Sequence, residues 1–205
     1  MHLLRAALRL KLAVMSIIWM HGLGDTPAGW SDLEQNIPKL LEAADIELET
    51  PIVFKFPAAP KAPVTINKGA ESNSWFDLVD FPCTPDSKDD VKGITASLKR
   101  IHALIDSVAE TVEHSKIIVG GFSQGAALAL QAVYTYPKKL AGCVCLSGWL
   151  QMRDQFPKVA TAANKKTRCF WGHGFMDNVC SLVRDDRDFV PTHIASLVVT
   201  FCFDQ

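Results

Sequence analysis

The sequence predicts an α/β fold, a mostly parallel sheet with helices on both faces, on three observations. Short apolar runs alternate along the chain with stretches of helical periodicity. Several of those runs are apolar at nearly every position, as strands covered on both faces are. A Gly-x-Ser-x-Gly string stands between one such run and a helix-forming segment: Ile117, Ile118 and Val119 lead towards Gly121-Phe122-Ser123-Gln124-Gly125, and a small-residue stretch follows.

The elements follow in order. Residues 1–15 carry Arg5, Arg9 and Lys11 with no acid and read as a leader or transit-like segment, too short in its apolar part to span a bilayer. Residues 16–205 read as a single domain. The first strand is 16–20 (SIIWM), followed by a helix over 30–44 whose apolar face carries Leu33, Ile37, Leu40 and Leu41. A second strand, 51–56, is stopped by Pro57 and Pro60. Residues 57–86 hold five prolines and read as a long irregular excursion, the kind of loop that forms a lid or a binding surface. From residue 89, Val91, Ile94, Leu98, Ile101, Ile105, Val108 and Val112 recur at spacings of three and four. Lys92, Lys99, Asp106, Glu110 and Glu113 fall off that stripe, and Ser87 with Asp90 resembles a capping box. Further strands are expected at 140–146, 168–171 and 197–203.

In such sheets chemistry gathers at the carboxyl ends of the strands. Four loops sit there: His21-Gly22-Leu23-Gly24-Asp25, the proline-rich excursion, the Ser123 turn, and the stretch from Gly172 to Asp177. A serine on a sharp strand-to-helix turn projects its hydroxyl from the sheet, and its close neighbours favour glycine. The hydroxyl is a poor nucleophile unless a base, usually a histidine oriented by a carboxylate, takes its proton. Backbone N–H groups must also face the developing oxyanion; the turn supplies that of Gln124 and the glycine loop that of Leu23. Asp177, after a late strand, is placed as the carboxylate.

HGLGD (21–25), FPAAPKAPVTINKGAESNSWFD (56–77), GGFSQGAALAL (120–130), LSGWL (146–150) and WGHGFMDNVC (171–180) together resemble the acyl-protein thioesterase and lysophospholipase-like carboxylesterase family, LSGW its plant-type members in particular. The resemblance implies an α/β-hydrolase fold, with Ser123 as nucleophile, Asp177 as triad acid, Leu23 and Gln124 as oxyanion donors, and a lid-like loop over 63–75. It also implies Trp75 and Phe76 at the substrate pocket, hydrolysis of S-acyl thioesters on lipidated proteins or of small or lysolipid esters, and no cofactor. The family's histidine follows the last strand and precedes a closing helix. Here His193, the histidine after Asp177, precedes residues 197–203, and the domain is expected to be incomplete at its C-terminal end, the last helix missing. His193 is therefore the candidate base on order alone, and His21 and His173 read as loop braces. A catalytically impaired form that binds acyl chains or lipidated proteins is the alternative.

The net charge of −1, from 21 basic and 22 acidic residues, leaves no footprint for nucleic acid. Cys143, Cys145, Cys169 and Cys202 fall in apolar runs and read as core thiols; with no paired ligand spacing they point away from a zinc site and towards a reducing compartment such as the cytoplasm, unless residues 1–15 direct the chain to an organelle. Expected partners are S-acylated proteins or small acyl esters, with transient contact to a membrane surface.

Overall fold

The structure, a computed structural model, describes residues 15–48, 51–83, 87–174, 177, 179 and 196–201. Among the described residues six parallel strands form the sheet: β1 (Met15–Met20), β2 (Ile52–Lys55), β5 (Ile117–Phe122), β6 (Gly142–Leu146), β7 (Cys169–Gly174) and β8 (Ser196–Phe201), in the order β2-β1-β5-β6-β7-β8. The pair β3 (Lys61–Val64) and β4 (Ala70–Asn73) forms a separate antiparallel hairpin. The helices are α1 (Leu33–Ala43), α2 (Val91–Val108), α3 (Gln124–Thr135) and the single turn α4 (Phe156–Val159).

Alternation along β1 explains how both faces are covered, because successive side chains point to opposite sides. Ile18 and Met20 join a core with Ile94, Ile101 and Ile105 of α2 and the buried residues of α3. Ile17 and Trp19 turn the other way, towards Phe54, Trp30 and the inner residues of α1, Leu33 and Ile37. Helix α3 is buried from Gln124 to Tyr134, which its run of alanines permits by letting the helix lie close to β1, β5 and β6. The thiols of Cys143, Cys145 and Cys169 are free of disulfides and buried in the first core, and Cys83 is buried outside the sheet.

Several elements differ from the sequence reading. The excursion over 57–86 is not irregular throughout: residues 61–73 fold into the β3–β4 hairpin. Pro63 is tolerated because the hairpin has only two strands and a free edge for a residue without an N–H. Lys68 and Gly69, at φ of 56° and 80°, turn the chain between them. Helix α2 is capped by Asp90 itself, whose carboxylate accepts the Gly93 N–H at 3.0 Å, so the cap stands at the second residue of the expected box. The α2 stripe runs from Ile94, since Val91 in the first turn is exposed, and Val112 is buried beyond the helix end. Helix α1 starts at Leu33 and turns Leu40 out to 68% exposure, because Leu33, Ile37 and Leu41, spaced by four, already occupy its inner face.

Among the described residues no helix is long and apolar enough to cross a membrane, and no cluster of His, Cys, Asp and Glu has the arrangement of a metal site. Residues 1–14, Cys202 and the end of the expected last strand lie outside the described residues.

Candidate active site

Ser123 stands at the end of β5 with φ 53° and ψ −120°, a conformation that L-residues seldom adopt and that persists only when the surroundings enforce it. Its N–H donates to the Leu146 carbonyl of β6 at 2.8 Å, and its own carbonyl accepts the N–H groups of Ala126 and Ala127, both at 3.0 Å. The backbone is thereby tied to sheet and helix, while the hydroxyl makes no capping bond to α3. Glycine is required on both sides. A methyl at Gly121 would lie 2.6 Å from the Met20 carbonyl oxygen and 2.6 Å from the Gly125 backbone, and one at Gly125 would lie 2.5 Å from the His21 carbonyl oxygen.

The glycine loop comes to Ser123. A methyl at Gly22 would touch Cβ of Ser123 at 3.4 Å, so residues 22 and 123 are in contact across the ends of β1 and β5. His21 braces this loop, as expected: with Nε2 accepting the Ala59 N–H at 3.1 Å, Nδ1 carries the proton and donates to the Gly22 carbonyl at 2.7 Å. Both ring nitrogens are committed, which removes His21 as a base. Asp25 closes the loop by accepting from Trp30 Nε1 at 2.8 Å, and the Trp30 ring packs on Phe122 at 5.4 Å.

Ser123 opens on a cavity of about 250 Å³. Gly22, Leu23, Asp25, Phe122 and Ser123 form one side, and Ile66, Leu78, Phe81, Cys83, Trp149 and Val179 form an apolar wall. The excursion is tied across to the segment after β7 by the Cys83 N–H, which donates to the Val179 carbonyl at 3.0 Å. Trp75 and Phe76 do not line this cavity. Both are buried in the core behind it: Trp75 donates from Nε1 to the His21 carbonyl at 2.9 Å, and Phe76 meets Trp149 edge-on at 6.1 Å.

The side chain of Gln124 has a part that the role expected of its backbone did not suggest. Fully buried, it accepts the Trp75 N–H at 2.9 Å through Oε1 and donates through Nε2 to the Phe76 carbonyl at 2.7 Å and to Ser74 Oγ at 3.0 Å. The residue after Ser123 thus pins the excursion to the turn. The sequence reading named none of the wall residues Trp149, Leu78 and Ile66 for the pocket, although Ile66 falls in the expected lid-like loop. Trp149 had a usable signal, since LSGWL begins at the carboxyl end of a strand.

Asp177 lies past the end of β7. Its Oδ1 accepts the Val179 N–H at 2.9 Å, and its Oδ2 faces Nε2 of the buried His173 at 3.4 Å. One strand, β6, separates the strands that carry Ser123 and Asp177, two spacings of roughly 4.8 Å each, which leaves room for an imidazole between them. His193 lies outside the described residues.

Residues 11–196 match the sequence profile of a family described as Phospholipase/Carboxylesterase. A probable carboxylesterase of rice is 38% identical over 165 residues, covering 80% of this chain and 59% of its own length; a second rice protein, named a probable inactive carboxylesterase, is 38% identical over 173 residues, covering 84% and 68%. Acyl-protein thioesterase 1 of Saccharomyces cerevisiae is 39% identical over 177 residues, covering 86% of this chain and 76% of its own. Among solved structures, that of Arabidopsis thaliana SOBER1 superimposes with a TM-score of 0.81 at 30% identity, covering 93% of this chain and 89% of that one. With the profile matched over most of its length and the strand-turn-helix carrying Ser123 in place, the chain belongs to the phospholipase/carboxylesterase family of α/β-hydrolases.

Proposed function

We propose that the chain is a serine hydrolase that cleaves carboxylic esters and S-acyl thioesters, of lipidated proteins or of small acyl compounds such as lysophospholipids, through an acyl-enzyme on Ser123. The observation that carries this reading is the strained Ser123 turn, its hydroxyl unused by the helix, at the mouth of a cavity with an apolar wall and in contact with the glycine loop. In the first step Ser123 Oγ attacks the acyl carbonyl and its proton passes to an imidazole held by Asp177. The oxyanion is received by the N–H groups of Leu23 and Gln124. The leaving thiol or alcohol takes the proton as the tetrahedral intermediate collapses, and water, activated by the same imidazole, then releases the acid and restores the serine. The apolar wall from Ile66 to Trp149 suits an acyl chain, and the buried thiols of Cys143, Cys145 and Cys169, free of disulfides, suit a reducing compartment such as the cytoplasm.

A fluorophosphonate probe tests the nucleophile. Labelling of the wild-type chain that disappears in Ser123→Ala supports the reading; equal labelling of both sinks it. His193→Gln and His173→Gln identify the base, since only loss of the imidazole that takes the serine proton removes turnover while leaving the fold intact.

The match to a rice protein named as probably inactive favours a second reading, an acyl-binding module without turnover. It predicts retained binding of a fatty-acyl ligand with no labelling of Ser123.

A further inference from the structure

Asn73, the last residue of β4, grips the glycine loop at two points. Its carbonyl oxygen accepts the Gly24 N–H at 2.9 Å, and its side-chain amide donates to the Asp25 carbonyl at 2.9 Å. A carbonyl can only accept, so the amide nitrogen is the atom that faces it. The loop between these points is tight: the Asp25 N–H donates back to the Gly22 carbonyl at 3.3 Å, and Gly24 takes φ 78°. The Leu23 N–H lies inside this turn, one peptide before the first grip, in the segment that touches Ser123.

We propose that Asn73 is a positioning residue for the hydrolytic reaction, fixing the Gly24 and Asp25 peptides and with them the direction in which the Leu23 N–H meets the oxyanion. The inference rests on the serine-hydrolase reading. Oxyanion donors act through pre-set geometry, so freeing the turn that holds one costs rate without removing the donor.

Anchoring of the hairpin alone would be the competing role, and the hairpin has other anchors. The Asp77 carboxylate accepts the Thr65 N–H at 2.7 Å and Thr65 Oγ1 at 2.5 Å. The Gln124 amide holds residues 74–76, and the Ser74 N–H donates to the Pro60 carbonyl at 2.9 Å. The Asn73 side chain is spent on the glycine loop instead.

Asn73→Ala deletes the side-chain grip, and Asn73→Asp keeps its size while setting an acceptor against the Asp25 carbonyl. With p-nitrophenyl acetate as substrate, both variants are expected to lose about tenfold in kcat with KM changed by less than about twofold. Thr65→Val, which cuts a hairpin anchor, is expected to lower Tm and leave kcat at the wild-type value. An Asn73→Asp chain with wild-type kcat overturns the inference while the serine-hydrolase reading stands, as does a kcat loss in the Asn73 variants that only follows a fall in folded protein. A wild-type chain that neither turns over the ester nor is labelled by a fluorophosphonate overturns both.

Discussion

At the scale of single residues, the site depends on atoms that could not be larger and on one amide that could not be absent. Gly121 and Gly125 are dictated by carbonyl oxygens of β1 and of the loop after it, which stand where a methyl would go. That requirement is local, so the Ser123 turn could be read directly from the sequence. Gln124 is different: its side-chain partners lie 48 to 50 residues earlier, and nothing in the sequence around it announces them. Replacing it with alanine strands the buried Trp75 N–H, whereas the Phe76 carbonyl keeps the Ser74 hydroxyl at 2.6 Å. One orphaned buried donor predicts a loss of about 2 kcal/mol for Gln124→Ala, checked by urea unfolding. A change below about 0.5 kcal/mol, typical of a surface substitution, would show that the amide does not hold the excursion.

At the scale of elements, the packing of α2 on α3 contains a titratable contact. His102 of α2 donates from Nε2 to the Ala132 carbonyl of α3 at 3.0 Å, and its ring meets Tyr136 edge-on at 5.1 Å. Around it stand the Thr135 hydroxyl at 3.5 Å from Nε2, Tyr136, whose hydroxyl donates to Asp106 at 2.6 Å, Asp106 itself, and His114, stacked on Tyr136 at 5.8 Å. Burial pushes the His102 pKa below the ordinary histidine value, outweighing the Ala132 carbonyl and Asp106, which act the other way. As pH falls through about 6.5 the unfolded chain therefore takes up the proton before the folded one, so His102's contribution is present above that pH and lost below it. His102→Gln should remove this part of the acid sensitivity, and unfolding free energies at about pH 7.5 and about pH 5.5 should fall less steeply in the variant than in the wild type. Parallel pH dependences would contradict the assignment. The same helix shows what was legible at this scale: its repeat of apolar residues survives in Ile94, Ile101 and Ile105, each essentially buried. The β3–β4 hairpin was not legible, because Pro63 and the prolines on either side of the hairpin read as breakers and its stability comes from pairing across the turn and from anchors elsewhere in the fold.

At the scale of the whole molecule, the parallel order β2-β1-β5-β6-β7-β8 gathers loops from distant parts of the sequence at one end of the sheet. The glycine loop, the Ser123 turn, Trp149 and Asp177 follow β1, β5, β6 and β7 respectively, and the hairpin reaches the same end through Asn73 and Trp75. This convergence follows from the alternation of strands and helices, which is why Ser123 and Asp177 could be named as candidates before the fold was in view. The cavity wall could not be named in full, since Ile66, Leu78 and Phe81 come from the excursion, whose path depends on what it packs against. The central claim is that Ser123 carries the acyl group. Brief mixing with p-nitrophenyl acetate, followed by acid quench and mass analysis of the intact chain and its peptides, tests it most directly. One acetyl group on the peptide containing Ser123, absent from Ser123→Ala, is the predicted result; release of p-nitrophenol at the same rate from both chains, with no acetyl on Ser123, would contradict it.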